Sequence, residues 1–224
     1  MTRVYPSNVA ERLETTTTSS SPAGSNDSAA ILTVWKKSLL FNCNGFTVFD
    51  GKGNLVFRVD NYVAGNKGEI VLMDATGKPI LTIRRKIRLS LGDNWLVYDG
   101  ESAVNPLFLA RKYVNILNTK YLANVSLGTG GSGSSSLSSL SSSGDGKNVL
   151  YEIEGCFAQR CCVVLDKKRR RVAEIKPKEP VGEVAFGLDV FRLIVQPEID
   201  APLAMALVII LDQMFGSSRR LMSK

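Results

Sequence analysis

The segment Asp200-Ala-Pro-Leu-Ala-Met-Ala-Leu-Val-Ile-Ile-Leu-Asp-Gln-Met-Phe-Gly216 is apolar on every side from Ala201 to Leu211. As a helix rising about 1.5 Å per residue, the apolar run spans only about 17 Å, too short for a bilayer core about 30 Å thick. A helix that is apolar all round and does not cross a membrane has to be surrounded by protein. Its ends are marked: Asp200 is placed to cap the first turn, Pro202 is tolerated there, and Gly216 stops the helix before Arg219 and Arg220.

The surroundings on offer are strands. From Ile31 onward the chain consists of apolar runs of about five to eight residues, punctuated by Gly, Asn or Asp, as antiparallel β-structure requires. Two hairpins stand out, Gly45–Asp50 with Leu55–Val59 and Ile70–Asp74 with Ile80–Ile83. In each, an Asp enters a glycine-containing turn. A third copy, Cys162–Asp166 with Arg171–Ile175, has a basic turn instead of glycine. Further strands are expected at Leu32–Trp35, Asn94–Tyr98, Leu107–Tyr113, Tyr121–Leu127, Val149–Ile153 and Leu188–Val195. About twelve short strands and one buried helix predict a mainly β fold, an antiparallel barrel enclosing the C-terminal apolar α-helix.

The domain limits follow from composition. Residues 1–29 carry a Thr/Ser run and few apolar groups, and are expected to be a disordered tail. Residues 30–217 form the barrel domain, interrupted by a Ser/Gly-rich loop at 128–147, and 218–224 form a C-terminal tail. Gly128-Thr-Gly-Gly-Ser-Gly133 has dinucleotide-fingerprint spacing, but serines follow it where that fingerprint needs a helix.

Histidine is absent from all 224 residues, which removes Ser-His-Asp and Cys-His nucleophilic sites and every His-containing zinc site. No carboxylate pair identifies itself as a catalytic alternative, so the chain is expected not to be an enzyme and to need no cofactor. Residues 1–20 have no apolar core of a secretory signal, which predicts a reducing compartment: cytoplasm, with peripheral membrane or nuclear association. Cys43, Cys156, Cys161 and Cys162 are then expected as buried free thiols, with adjacent Cys161 and Cys162 on opposite faces of a strand.

The formal net charge is +7, favouring an anionic partner. Between Asp166 and Lys178, seven of thirteen residues are Lys or Arg, and Lys167, Lys168, Arg169, Arg170 and Arg171 are consecutive. At a hairpin tip they would project into solvent, where each contributes on the order of 1 kcal/mol of attraction to an anionic membrane. The expected ligand is an anionic phospholipid or phosphoinositide; the bland alternative is a solvated turn. A second cluster, Arg84 and Lys86, is the secondary candidate, with Arg85 turned inward unless the strand ends or bulges there. Nucleic acid is a weaker expectation, because Trp35, Phe46, Phe57, Phe186 and Phe191 read as core residues, leaving no stacking platform.

Across almost the whole ordered span the chain resembles the plant LURP-one-related proteins. The residues that carry the likeness run from Trp35-Lys-Lys-Ser-Leu39 through Asp50-Gly-Lys-Gly-Asn-Leu-Val-Phe-Arg-Val-Asp-Asn-Tyr62, Leu72–Pro79 and Thr82–Lys86. They continue with Glu154-Gly-Cys-Phe157, Val181–Val184, Gly187–Val190 and Val195–Ala204. The resemblance implies a twelve-stranded barrel around a buried helix, as in the tubby C-terminal domain and the phospholipid scramblases. It also implies kinship with membrane-tethered transcription factors and a link to plant defence, and it implies no reaction. No acidic cluster near Asp189 resembles the scramblase calcium segment, so calcium-driven lipid scrambling is not expected. The functional expectation is a non-catalytic, monomeric membrane-tethering module; the alternative is a nuclear protein that binds DNA or a transcription partner.

Overall fold

Three aspartates set the rhythm of the fold. In a computed structural model describing residues 28–40, 44–61, 69–86, 94–102, 104–113, 120–128, 148–180, 182 and 185–216, Asp50, Asp74 and Asp166 each end a strand and close the next turn in the same way. Asp50 Oδ1 accepts from the backbone N–H of Lys52 and of Asn54, both at 2.8 Å. Asp74 does so for Thr76 and Lys78, and Asp166 for Lys168 and Arg170. The side chain thus satisfies two turn amides that the strand ladder cannot reach. The fourth turn residue is left-handed in every copy: Gly53 at φ 86°, Gly77 at φ 93° and, in the third, Arg169 at φ 61°.

Around these turns the strands are β1 (Ala30–Trp35), β2 (Asn44–Phe49), β3 (Leu55–Asn61), β4 (Glu69–Asp74), β5 (Pro79–Lys86) and β6 (Asn94–Asp99). They continue with β7 (Phe108–Lys112), β8 (Tyr121–Leu127), β9 (Val149–Cys156), β10 (Cys161–Asp166), β11 (Arg171–Pro177) and β12 (Val190–Val195). Each pairs antiparallel with its sequence neighbour, and β12 closes on β1 in the register Ala30↔Val195 to Trp35↔Val190. The result is a closed twelve-stranded barrel with no sheet edge exposed. Such a meander puts the Asp turns at one rim and the β1–β2, β5–β6, β7–β8, β9–β10 and β11–β12 connections at the other.

One residue in two points inward along each strand. Leu32 and Val34, Phe46 and Val48, Leu72, Ile83, Val97, Val125, Ile153 and Leu193 are all buried by this alternation. They enclose the helix α1 (Ala201–Phe215), whose side chains from Leu203 to Asp212 are buried on every face. The helix enters from the Asp-turn rim and its last turn lies at the opposite rim. There Asp212, buried among apolar groups, receives Lys36 Nζ at 2.8 Å, and Arg160 stands at 3.9 Å.

Several expectations need correction. Trp35 is 41% exposed, because the alternation that buries Leu32 and Val34 turns it outward, and Phe186 is only partly buried. Arg85 is exposed, because β5 ends at Lys86. Cys156 and Cys161 are exposed; of the described thiols Cys162 alone is buried, on the opposite face from Cys161 as expected. Asp200 occupies the helix N-cap without a side-chain bond, its carbonyl accepting from Ala204 N–H. Gly216 ends the helix in ordinary right-handed conformation, and its missing side chain leaves room for Asp212, whose Oδ1 a Cβ there would meet at 2.7 Å. Residues 1–27, most of the Ser/Gly-rich loop, Cys43, Ile87 and the tail 218–224 lie outside the described residues.

Candidate functional site

The β10–β11 turn carries Lys167 to Arg171, all exposed, at the Asp-turn rim. Its arginines do not project freely. Arg169 bridges Glu152 at 2.7 Å and Glu154 at 2.6 Å, both on the neighbouring strand β9. Arg170 folds back onto Asp166 at 2.7 Å and reaches Glu198 at 3.6 Å, while Arg171 lies 3.7 Å from Glu174. The Glu154 carboxylate, and Glu152 after it, holds the Arg169 guanidinium above its usual range. Asp166 does the same for Arg170. Five cations therefore sit among five carboxylates, and Lys167 and Lys168 are the members without an ion-pair partner among the described residues.

Arg84 and Lys86 lie at the opposite rim, near the end of β5, so the two predicted basic clusters are not brought together. Arg84 Nε is 2.8 Å from Glu69, and its guanidinium stacks on Tyr98 at 5.3 Å. Lys86 is exposed.

That rim also gathers exposed apolar residues. Trp35, Leu39, Tyr113 and Leu188 are all exposed there. Trp35 carries Lys37 Nζ over its ring at 5.1 Å. Lys36 N–H donates to Asp189 carbonyl at 2.7 Å, which joins the β1–β2 connection to the segment holding Leu188. Lys178 stands over Phe186 at 5.4 Å, and Lys120 is exposed beyond β7. Exposed apolar groups and ammonium groups thus share one end of the barrel, with Lys37 on Trp35 and Lys178 on Phe186. The signal for Trp35 was its parity with Val34; that for Leu188 lay only in the fold.

A cleft of about 610 Å³ at the Asp-turn rim is lined by Ile31, Leu32, Val195, Ile199 and the Asp50–Lys52 turn. Its carboxylate, Asp50, is occupied by the turn amides and by Asn54 Nδ2 at 3.0 Å. Among the described residues no three Cys, Asp or Glu side chains converge as metal ligands. No described helix is long and apolar enough to cross a membrane.

Comparison with known proteins bears on the whole barrel. The chain is 56% identical over 194 residues to Protein LURP-one-related 8 of Arabidopsis thaliana, covering 85% of this chain and 89% of that protein. It is 41% identical over 198 residues to Protein LURP-one-related 17 of the same plant, covering 83% of each. Among solved structures, an X-ray structure of an Arabidopsis thaliana protein superposes with a TM-score of 0.58 at 22% identity, covering 84% of this chain and 91% of that one, a likeness of fold. The LURP-one-related family model matches residues 30–212, the barrel and nearly all of its central helix, and the chain belongs to the LURP-one-related family.

Proposed function

We propose that this chain is a non-catalytic, tubby-like barrel module that tethers to anionic, phosphoinositide-bearing membrane surfaces as a monomer. The observation that carries the reading is the rim where Trp35, Leu39 and Leu188 stand exposed beside Lys37, with Arg84 and Lys86 on the same end. Indole rings favour the headgroup layer, and each lysine near an anionic surface adds on the order of 1 kcal/mol. This rim ranks ahead of the Lys167–Arg171 turn because exposed apolar side chains stand beside its ammonium groups; the arginines of that turn face carboxylates, as Arg84 does, and leave Lys167 and Lys168.

The kinship with tubby-type transcription factors and phospholipid scramblases that the sequence resemblance implies is in keeping with a membrane partner. Cytosolic residence with reversible attachment, and service in plant defence, belong to the same proposal. Liposome co-sedimentation across a salt series, with and without phosphoinositide, tests it. The wild type should sediment with anionic vesicles and lose binding as salt rises. A Trp35→Ser/Lys37→Ser/Leu39→Ser variant should lose most of it, and Lys167→Ser/Lys168→Ser only a part. Failure of the wild type to sediment at low salt rejects the reading, and salt-sensitive retention on DNA instead would favour the nuclear alternative.

A further inference from the structure

Strand β9 ends in a cysteine and strand β10 begins with one. Cys156 and Cys161 are direct cross-strand partners in the antiparallel register, both exposed, on the outer face of the barrel. Residues directly opposite in such a ladder have Cα atoms about 4.5 to 5.5 Å apart, inside the range of about 4.4 to 6.8 Å that a disulfide accepts. Between them runs a four-residue turn, 157–160, built to hold its shape. Phe157 is buried, and Arg160 adopts φ 55°, donates through Nε to Leu188 carbonyl at 2.8 Å and stacks on Phe157 and Phe191 at 4.3 and 4.5 Å. The turn therefore keeps the two thiol-bearing positions in register.

We propose that Cys156 and Cys161 form a reactive dithiol site that hydroperoxides oxidise to an intramolecular disulfide and thiols restore. One thiolate attacks the peroxide O–O bond and becomes a sulfenic acid, releasing an alcohol, or water when the oxidant is hydrogen peroxide. The second thiolate attacks that sulfur, forms the S–S bond and expels hydroxide, which leaves as water. Two thiols and one hydroperoxide yield one disulfide, one alcohol and one water, with two electrons passing from sulfur to the peroxide. Cys162, next in sequence, is excluded: it faces the interior, where burial pushes its thiol up to about 12 and keeps it protonated and unreactive.

Tryptic digestion of the full chain after hydrogen peroxide treatment gives the test, because cleavage after Arg160 separates the two cysteines. Oxidised protein should yield peptide 148–160 joined to peptide 161–167, and reduction should part them. The joined species should vanish in Cys161→Ser and survive in Cys162→Ala. Absence of the joined species, its survival in Cys161→Ser, or its occurrence only between two chains would overturn the proposal. Reduced wild type should also bind one equivalent of phenylarsine oxide, a probe for paired thiols, and lose that binding in Cys156→Ser; equal binding in both overturns it as well.

Discussion

Lys36 Nζ donates to Asp212 Oδ1 at 2.8 Å, tying the end of the first strand to the last turns of α1 across 176 positions of sequence. The same carboxylate faces Arg160, whose side chain is 7% exposed and which belongs to the β9–β10 turn. One buried acid thus connects two parts of the barrel rim to the element the barrel encloses. Lys112 adds a third tie, donating to Met214 carbonyl at 3.2 Å and lying over Phe215 at 4.7 Å.

Removing the shared acid should cost more than removing the lysine. Asp212→Ala removes the carboxylate that Lys36 and the buried Arg160 guanidinium both face, a class of change that costs about 3 kcal/mol. Lys36 is one-third exposed, so Lys36→Ala should cost about 1 kcal/mol or less. Urea unfolding of the two variants measures the ranking, and equal losses would mean that Arg160 draws little from Asp212.

The helix itself is the most sensitive element to charge. Ile209 is fully buried at the centre of α1. Ile209→Asp should place an unpaired carboxylate there and cost several kcal/mol, enough to abolish soluble folding of a domain of ordinary stability. Ile209→Val should cost about 1 kcal/mol. Wild-type melting behaviour in the Asp variant would contradict burial of the helix within the barrel.

The barrel was legible because its signals are local. Alternating apolar residues define each strand, an Asp and a glycine define two of the turns, and an apolar run too short to span a bilayer demands an enclosure. Trp35 was misread as core although strand period alone, with Leu32 and Val34 inward, turns it to solvent. The pairing of the arginines in the basic run was not legible for a different reason. Glu152, Glu154 and Glu198, which meet its arginines, come from a neighbouring strand and from the approach to the helix, and no spacing within Lys167–Arg171 announces them. The Asp212 junction and the Cys156–Cys161 pairing depend likewise on strand register and barrel closure.

The third Asp turn can be tested against its siblings. Arg169 takes the left-handed conformation that Gly53 and Gly77 supply in the other two, at a cost of about 1 kcal/mol for a residue with a side chain. Its exposed pairs with Glu152 and Glu154 give back a comparable or smaller amount. Arg169→Gly should therefore be close to neutral, whereas Arg169→Ala, which keeps the strain and loses the pairs, should be less stable than the Gly variant by about 1 kcal/mol. Chemical denaturation of both variants decides it, and an Ala variant as stable as the Gly variant would show that the turn stores no strain.

The three turns also predict an acid dependence of stability. The Asn54 side chain, then its backbone N–H, holds Asp50 below the usual carboxylate range, and the Thr76 hydroxyl leads the same effect at Asp74. At Asp166 burial works in the raising direction but is outweighed by hydrogen bonds from the Arg170 backbone and guanidinium, so its carboxyl too is held low. A carboxyl that binds protons less readily folded than unfolded stabilises the fold above its unfolded value, near about 4, and that contribution fades as pH falls through the lower folded value. The melting temperature should accordingly drop as pH is lowered below about 4. Replacing Asp50, Asp74 and Asp166 by Asn keeps an acceptor oxygen for the turn amides but removes the titration, so the triple variant should show a shallower acid slope; an unchanged slope would assign the acid sensitivity to other carboxylates.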